Sequence, residues 1–165
     1  LYLKSPQKHH MSFLLGGGQE EGKRAGTENL AGIISFGIIA KDILRDPQWM
    51  NPVKILRVHL IDQINNLDHV HIHGDPDKII YNTINLHVDK VDLQTLLLKF
   101  EHQGIAISSK SACSSGISGA SYVLQAMGYS EEIAKNSVRI SLGYNNTKKD
   151  MERIVKVLAS LRSKK

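Results

Sequence analysis

The sequence of 165 residues carries a net charge of +5, with 22% charged and 41% hydrophobic residues. This length suits one domain with a proper core, and the composition is that of an ordinary globular protein. It holds no apolar run long enough to span a membrane and no signal-peptide pattern, so we expect no membrane partner. The basic residues do not interleave with aromatics along a stripe, so no direct nucleic-acid binding is expected either.

The sequence contains a single cysteine, Cys113. One cysteine rules out an internal disulfide and favours a reduced, cytoplasmic protein. The chain opens on Leu1-Tyr2-Leu3, without Met and without a polar lead-in, which is typical of the middle of a strand. We therefore expect this chain to be a piece of a longer protein.

Strand-like and helix-like periods follow one another along the chain. The predicted strands are residues 1–3, 69–73, 79–88, 105–108 and 138–142, and the predicted helices are residues 28–45, 52–65, 92–103, 121–127, 130–136 and a last one that begins after Thr147. Thr27 is expected to cap the long first helix, Asp92 the helix at residues 92–103, and Thr147 the last helix. The order predicts an α/β fold in which a small sheet is packed by helices on one face, plus one long N-terminal helix.

Cys113 lies in a run of small polar residues, Ser108 to Gly116, directly after the apolar residues Ile105-Ala106-Ile107. This pattern predicts a loop that leaves a strand and exposes the thiol. Lys110 would favour the thiolate, which is the nucleophilic form. The alternative is that Cys113 is a free, half-buried cysteine in a turn, which is the usual interpretation of a single cysteine considered without other motifs.

A glycine-rich loop, from Gly16 to Thr27, precedes the first helix. The N–H groups and dipole of a helix N-terminus suit an anion, and Lys23, Arg24 and the Thr27 hydroxyl would add to a phosphate site. A flexible connector with an ordinary Thr cap explains the same residues. The pattern is neither a Walker A loop nor a dinucleotide fingerprint.

Arg139 lies inside an apolar strand, Val138-Arg139-Ile140. A buried guanidinium needs a carboxylate, from the protein or from a substrate held bidentately. His69, His71 and His73 would share one face of a strand, but no carboxylate or cysteine cluster completes a metal site. We therefore expect no metal and interpret these histidines as structural or surface residues.

Taken together, these segments resemble the C-terminal portion of a pyridoxal-phosphate-dependent cysteine desulfurase. That enzyme belongs to the class V aminotransferase family and is of the type that supplies iron–sulfur cluster assembly. The resemblance lies in the glycine-rich loop that ends in Arg24-Ala25-Gly26-Thr27-Glu28-Asn29, in the cysteine loop from Ser108 to Ser115, and in the arginine strand from Val138 to Gly143. Weaker matches are His71-Ile72-His73-Gly74 and Asn82-Thr83-Ile84-Asn85.

The resemblance implies a role for one residue of each main segment. Cys113 would take the sulfur of substrate L-cysteine and carry it as a persulfide, leaving L-alanine. Thr27 would bind the phosphate of pyridoxal 5'-phosphate, across a homodimer interface. Arg139 would hold the substrate carboxylate. The lysine that anchors the cofactor is not in this chain, so the chain alone is expected to be inactive.

The resemblance also implies the C-terminal small domain of a fold-type I pyridoxal-phosphate enzyme. Residues 1–27 would be a remnant of the large cofactor domain with its phosphate loop, and residues 28–165 the small α/β domain with its long connecting helix. The sulfur would pass to an acceptor such as an iron–sulfur scaffold, or to thio-cofactor or tRNA thiolation. Two alternatives stay open: a non-catalytic α/β binding or regulatory module, and a selenocysteine lyase-like enzyme of the same cofactor class.

Overall fold

The computed structural model describes residue 12 and residues 14–46, 48–75, 78–109 and 119–162. It contains two compact units, Leu1–Pro47 and Gln48–Lys165. The predicted strand at residues 1–3 and the catalytic candidate Cys113 lie outside the described residues.

The first unit holds a loop and one long helix. The loop includes a short 3-10 helix, Gln19–Gly22, and the helix α1 is Leu30–Arg45. The predicted cap at Thr27 is wrong, because the side chain of Asn29 accepts the hydrogen bond from the Gly32 N–H at 3.1 Å. Asn is as good an N-cap as Thr and lies two residues further on, so the helix begins later than predicted. No residue of α1 is buried.

The second unit is built on a three-stranded antiparallel sheet in the order β1-β2-β3. The strands are β1 (Val70–Ile72), β2 (Thr83–Val88) and β3 (Ser137–Ser141). Each strand is shorter than or shifted from its prediction. The apolar residues before β2 form a turn closed by a hydrogen bond from Thr83 N–H to Ile80 O at 3.3 Å.

The predicted strand at residues 105–108 is wrong. It contributes a single bridge, between Ser108 and Arg139, at the edge of β3. An apolar run of three residues is typical of a buried strand. A strand also needs a neighbour that pairs along its length, and the local sequence does not show whether such a neighbour is present. The bridge still places the residue that leads into the cysteine loop beside Arg139.

One face of the sheet is apolar and carries the core of this unit. It packs against α2 (Asn51–Ile64), α3 (Leu93–His102) and α6 (Lys148–Ser160). Fully or almost fully buried members of this core, from the sheet and the three helices, are Ile84, Leu86, Val138, Leu60, Phe100, Met151 and Leu158. The predicted α/β arrangement, a small sheet packed by helices on one face, is confirmed.

Two short helices, α4 (Tyr122–Ala126) and α5 (Glu131–Lys135), connect α3 to β3. The predicted caps of α3 and α6 are confirmed, since the Asp92 side chain caps α3 and the Thr147 side chain caps α6. Gly104 has a φ of +65°, the left-handed conformation that ends a helix without strain. In the part of the chain that the structure describes, no helix has both the length and the apolar character needed to cross a bilayer.

We expect Thr147→Ala to destabilise the chain by about 1 kcal/mol. The Thr147 hydroxyl accepts from the Asp150 N–H at 3.3 Å, and an Asp150 carboxylate oxygen accepts from the Thr147 N–H at 2.8 Å. Alanine removes the first bond and loosens the second. Urea unfolding measures the change, with exposed Lys149→Ala on the same helix turn as the control, expected within about 0.5 kcal/mol of the parent. Equal free energies of unfolding for both variants would contradict the capping role.

Candidate functional site

The second face of the sheet is polar. Side chains alternate between the two faces of a strand, so the residues that do not enter the core point the other way. Thr83, Asn85 and His87 of β2 are partly buried on this face, between the buried residues of the opposite face. Arg139 of β3 lies beside them, because it is the register partner of Asn85.

A cavity of about 490 Å³ opens on this polar face, and we refer to it as the Arg139 cavity. Its polar lining comes from the sheet, and its apolar lining comes mainly from α4 and the turn after it. The lining residues are His73, Ile79, Thr83, Asn85, Ser109, Gly119, Ala120, Ser121, Tyr122, Val123, Leu124, Met127 and Arg139. A polar floor under an apolar cover is the usual composition of a small-molecule site.

Arg139 is held in place by its backbone. It is the register partner of Asn85 in β2, and its backbone exchanges hydrogen bonds with the backbone of Ser108. Its side chain is half-buried, yet no ion pair among the described residues includes its guanidinium. The sequence allows a carboxylate partner from the protein or from a substrate. In the described part of the chain, the structure shows no protein carboxylate in this role. A cation of this kind at a cavity wall is suited to an anionic ligand.

Asn85 is a residue of the cavity that sequence reasoning missed as a site residue. Its side-chain oxygen is buried and has no hydrogen-bond partner among the residues that the structure describes. An unpaired buried acceptor costs about 1–3 kcal/mol, which a ligand that donates a hydrogen bond would recover. The only sequence feature that could have identified Asn85 is its polar side chain in a strand of alternating polar and apolar residues. Its place opposite Arg139 depends on the register of two strands more than 50 residues apart.

The sequence interprets the three histidines as structural or surface residues, and His73 is of the structural kind. This residue is 2% exposed and lines the Arg139 cavity. Its Nε2 lies 3.0 Å from Ser137 Oγ, and its ring meets Tyr129 edge-on at 4.3 Å. Burial, with smaller contributions from His87 and His71, lowers the pKa of His73 to about 4. His73 is therefore a neutral imidazole at physiological pH.

The other two histidines have separate surroundings. His69 Nε2 donates to the Leu158 carbonyl at 3.0 Å, so this ring joins the sheet to α6. His71 is half-exposed and lies 3.0 Å from a carboxylate oxygen of Asp89. The hydrogen bond from His71 holds the pKa of Asp89 below its usual value. Together with His87, these two residues bring donor atoms within 4.8 Å of one another, a set that could hold a metal ion.

The glycine-rich loop places Thr27 in the first unit, whereas Arg139 belongs to the second. Arg24 donates to the carbonyls of Gly26 at 2.7 Å and Thr27 at 3.0 Å, so the guanidinium lies against the backbone of this segment. The Thr27 side chain is exposed. Since Asn29 rather than Thr27 caps α1, the Thr27 hydroxyl is not used as a helix cap and stays available to a ligand.

Ser109 and Gly119, the described residues on either side of the segment that contains Cys113, both line the cavity. The residues between them, which include Cys113, lie outside the described residues. Cys113 is four residues from Ser109 along the chain.

Comparison with known proteins supplies the family. The model of the family described as aminotransferase class-V matches residues 2–154. Among curated relatives, the cysteine desulfurase IscS 1 of Archaeoglobus fulgidus is 33% identical over 149 residues, which cover 88% of this chain and 38% of the relative. The cysteine desulfurase NifS of Azotobacter vinelandii is 36% identical over 169 residues, which cover 99% of this chain and 42% of the relative.

A solved structure agrees with this assignment. The NifS-like protein from Rickettsia africae matches with a TM-score of 0.74 at 30% identity, over 91% of this chain and 39% of that one. The chain thus spans about 40% of the length of these relatives. Because the family model matches nearly the whole chain, this protein belongs to the aminotransferase class-V family.

Proposed function

We propose that this chain is the C-terminal part of a pyridoxal-phosphate-dependent cysteine desulfurase, which converts L-cysteine to L-alanine and leaves the sulfur as a persulfide on Cys113. The observation that carries the proposal is the Arg139 cavity. Its wall presents a guanidinium without an ion-pair partner in the described part of the chain, and Ser109 and Gly119, on either side of the segment that contains Cys113, line it. The curated relatives named cysteine desulfurase support the same reaction.

Arg139 would bind the substrate carboxylate. The planar guanidinium forms two parallel hydrogen bonds with a carboxylate, which fixes both the position and the orientation of the amino acid. The apolar residues Val123, Leu124 and Met127 cover the cavity. Their apolar side chains would lower the local dielectric constant, which strengthens the pairing of charges. Asn85 would supply the acceptor for a donor group of the bound ligand.

The residues of the glycine-rich loop fit the phosphate of pyridoxal 5'-phosphate. The exposed Thr27 hydroxyl can donate to a phosphate oxygen, and the Arg24 guanidinium on the same segment adds positive charge. Thr27 would reach the phosphate across a homodimer interface, as the family resemblance implies. When bound, the cofactor supplies an electron sink that makes the carbon–sulfur bond of the substrate cleavable.

Cys113 would act as the sulfur acceptor. Its thiolate forms a sulfur–sulfur bond with the substrate sulfur, and the carbon–sulfur bond breaks with its electron pair remaining on carbon. The carbon then gains a proton. One L-cysteine and one thiol thus become one L-alanine and one persulfide, with no external oxidant.

The remaining expectations belong to the same proposal. Residues 1–27 would be part of the large cofactor domain and residues 28–165 the small domain of a homodimeric, cytoplasmic enzyme. The acceptor would be an iron–sulfur scaffold or a component of thio-cofactor or tRNA thiolation.

Substrate comparison of the full-length protein, loaded with pyridoxal phosphate, tests this function. We expect L-cysteine to yield alanine and, with a thiol reductant, sulfide in equal amounts. A rate with L-selenocysteine that exceeds the L-cysteine rate by orders of magnitude would instead identify a selenocysteine lyase-like enzyme. A protein that binds no cofactor and forms no alanine from either substrate would be a non-catalytic module, and the proposed reaction would be wrong.

A further inference from the structure

A second group of reactive side chains lies at the sheet edge formed by β1 and β2. His71 and His87 are register partners in the antiparallel pair, and Asp89 follows β2 directly. Directly opposed residues of an antiparallel pair have their Cβ atoms about 4.5–5.5 Å apart, so their side chains point the same way. None of these three residues lines the Arg139 cavity.

The donor atoms of the group converge. His71 Nε2 lies 3.0 Å from an oxygen of Asp89, and His87 Nε2 lies 3.7 Å from the same oxygen. The rings of His71 and His87 stack with their centroids 4.8 Å apart, so their Nε2 atoms are presented side by side. One possible donor atom from each residue lies within 4.8 Å of the others.

A buried contact through Nδ1 orients the ring of His87. Its Nδ1 lies 3.3 Å from Nε2 of His73, and that nitrogen lies 3.0 Å from Ser137 Oγ on β3. His73 and Ser137 are 2% and 1% exposed. Since Nδ1 of His87 is engaged with this buried pair, its free ligand atom is Nε2, which faces Asp89. Metal-binding histidines usually have their second ring nitrogen held by a neighbouring group, and in His87 that nitrogen faces His73.

We propose that His71, His87 and Asp89 bind a divalent transition-metal ion of the zinc class. Two imidazole nitrogens and one carboxylate oxygen are a common ligand set for Zn²⁺. Bond lengths of about 2.0–2.2 Å around a tetrahedral ion place ligand atoms roughly 3.3 Å apart, which is close to the two distances to Asp89. The side chains of His71 and Asp89 are 47% and 50% exposed, so a small rotation can complete the geometry and the fourth position is open to water.

This site is independent of the proposed sulfur chemistry. The sequence predicts no carboxylate partner for these histidines, whereas the structure places Asp89 beside His71 and His87. Sequence spacing places His69, His71 and His73 together, whereas the structure joins only His71 to the site and takes the other two ligands from β2 and the turn after it. Strand pairing, rather than spacing along one strand, assembles the ligands.

Calorimetric zinc titration of the full-length protein tests the proposal. Both the parent and the variants carry Cys113→Ser, so that the thiol does not compete for the metal. We expect the parent to have one zinc site that His71→Asn and Asp89→Asn each weaken by at least about tenfold, since even outer-shell changes cost 10–100-fold. His102→Asn replaces an exposed histidine on α3 and should leave the affinity unchanged.

Zinc is also expected to raise the melting temperature of the parent and of His102→Asn, but not of the two ligand variants. Asp89→Asn changes an exposed side chain with no change in size, so it reports on the site even if His71→Asn folds poorly. Equal zinc affinity in the parent and in Asp89→Asn, or no zinc binding by the parent, would overturn the proposal. In that case His71 and Asp89 form only a surface ion pair.

Discussion

Replacing Cys113 with alanine in the full-length protein is expected to abolish sulfide release from L-cysteine while leaving the cofactor bound. The reason is that the thiol is the atom that receives the sulfur, and the chain has no second cysteine to replace it. Cys113→Ser keeps the shape of the side chain but cannot form a persulfide, so it should be equally inactive. Sulfide and alanine assays measure turnover, and the absorbance of bound pyridoxal phosphate measures cofactor content.

Two outcomes would contradict the role of Cys113. Sulfide release by either variant at the parent rate would show that another group accepts the sulfur. Loss of cofactor absorbance in both variants would show that the residue supports the cofactor site rather than the sulfur transfer.

Arg139→Ala is expected to weaken the use of L-cysteine by about 2–5 kcal/mol, the usual cost of truncating one partner of a buried charge pair. This corresponds to a loss of roughly 30- to 5,000-fold in kcat/KM. The reason is that the guanidinium lies at the wall of the cavity and makes no ion pair in the described part of the chain. It is therefore available to the substrate carboxylate. Arg139→Lys keeps the charge but loses the two-pronged geometry, so we expect an intermediate loss.

The matched control for this experiment is Arg162→Ala. Arg162 is an exposed arginine of the same unit, paired with Asp68 at 3.0 Å on the surface, where ion pairs contribute little. Its removal should leave kcat/KM for L-cysteine unchanged. If Arg139→Ala and Arg162→Ala have the same kinetics as the parent, Arg139 does not bind the substrate.

The parts of the fold that the sequence predicted well are those set by local chemistry. Asp92 and Thr147 were recognised as helix caps because a short polar side chain before a helical period satisfies free N–H groups wherever the helix packs. The misplaced cap at Thr27 is also local, since Asn29 competes for the same function and only the backbone geometry decides between them.

Features that depend on strand pairing were harder to predict. The predicted strand at residues 105–108 became a single bridge, and the sequence did not decide whether His73 is structural or at the surface, whereas it is buried against Ser137. The reason in both cases is that an alternating or apolar run does not show which neighbour will cover it. The burial of His73 comes from a residue 64 positions further along the chain.

The residues of the candidate site also fall into those that local sequence identifies and those that depend on strand pairing. Arg139 was identified from the sequence because a charged residue in an apolar strand needs an explanation by itself. Asn85 was not, because its unpaired oxygen becomes meaningful only when the register places it opposite Arg139. Asp89 and His87 were missed as partners of His71 for the same reason.

The proposed reaction moves sulfur from L-cysteine to Cys113. It is tested by the mass of the full-length protein and of its Cys113 peptide after incubation with pyridoxal phosphate and L-cysteine, with and without reductant. We expect a gain of one sulfur on that peptide, removed by reductant, together with alanine in solution. Bound cofactor and free alanine with no sulfur on Cys113 would contradict it.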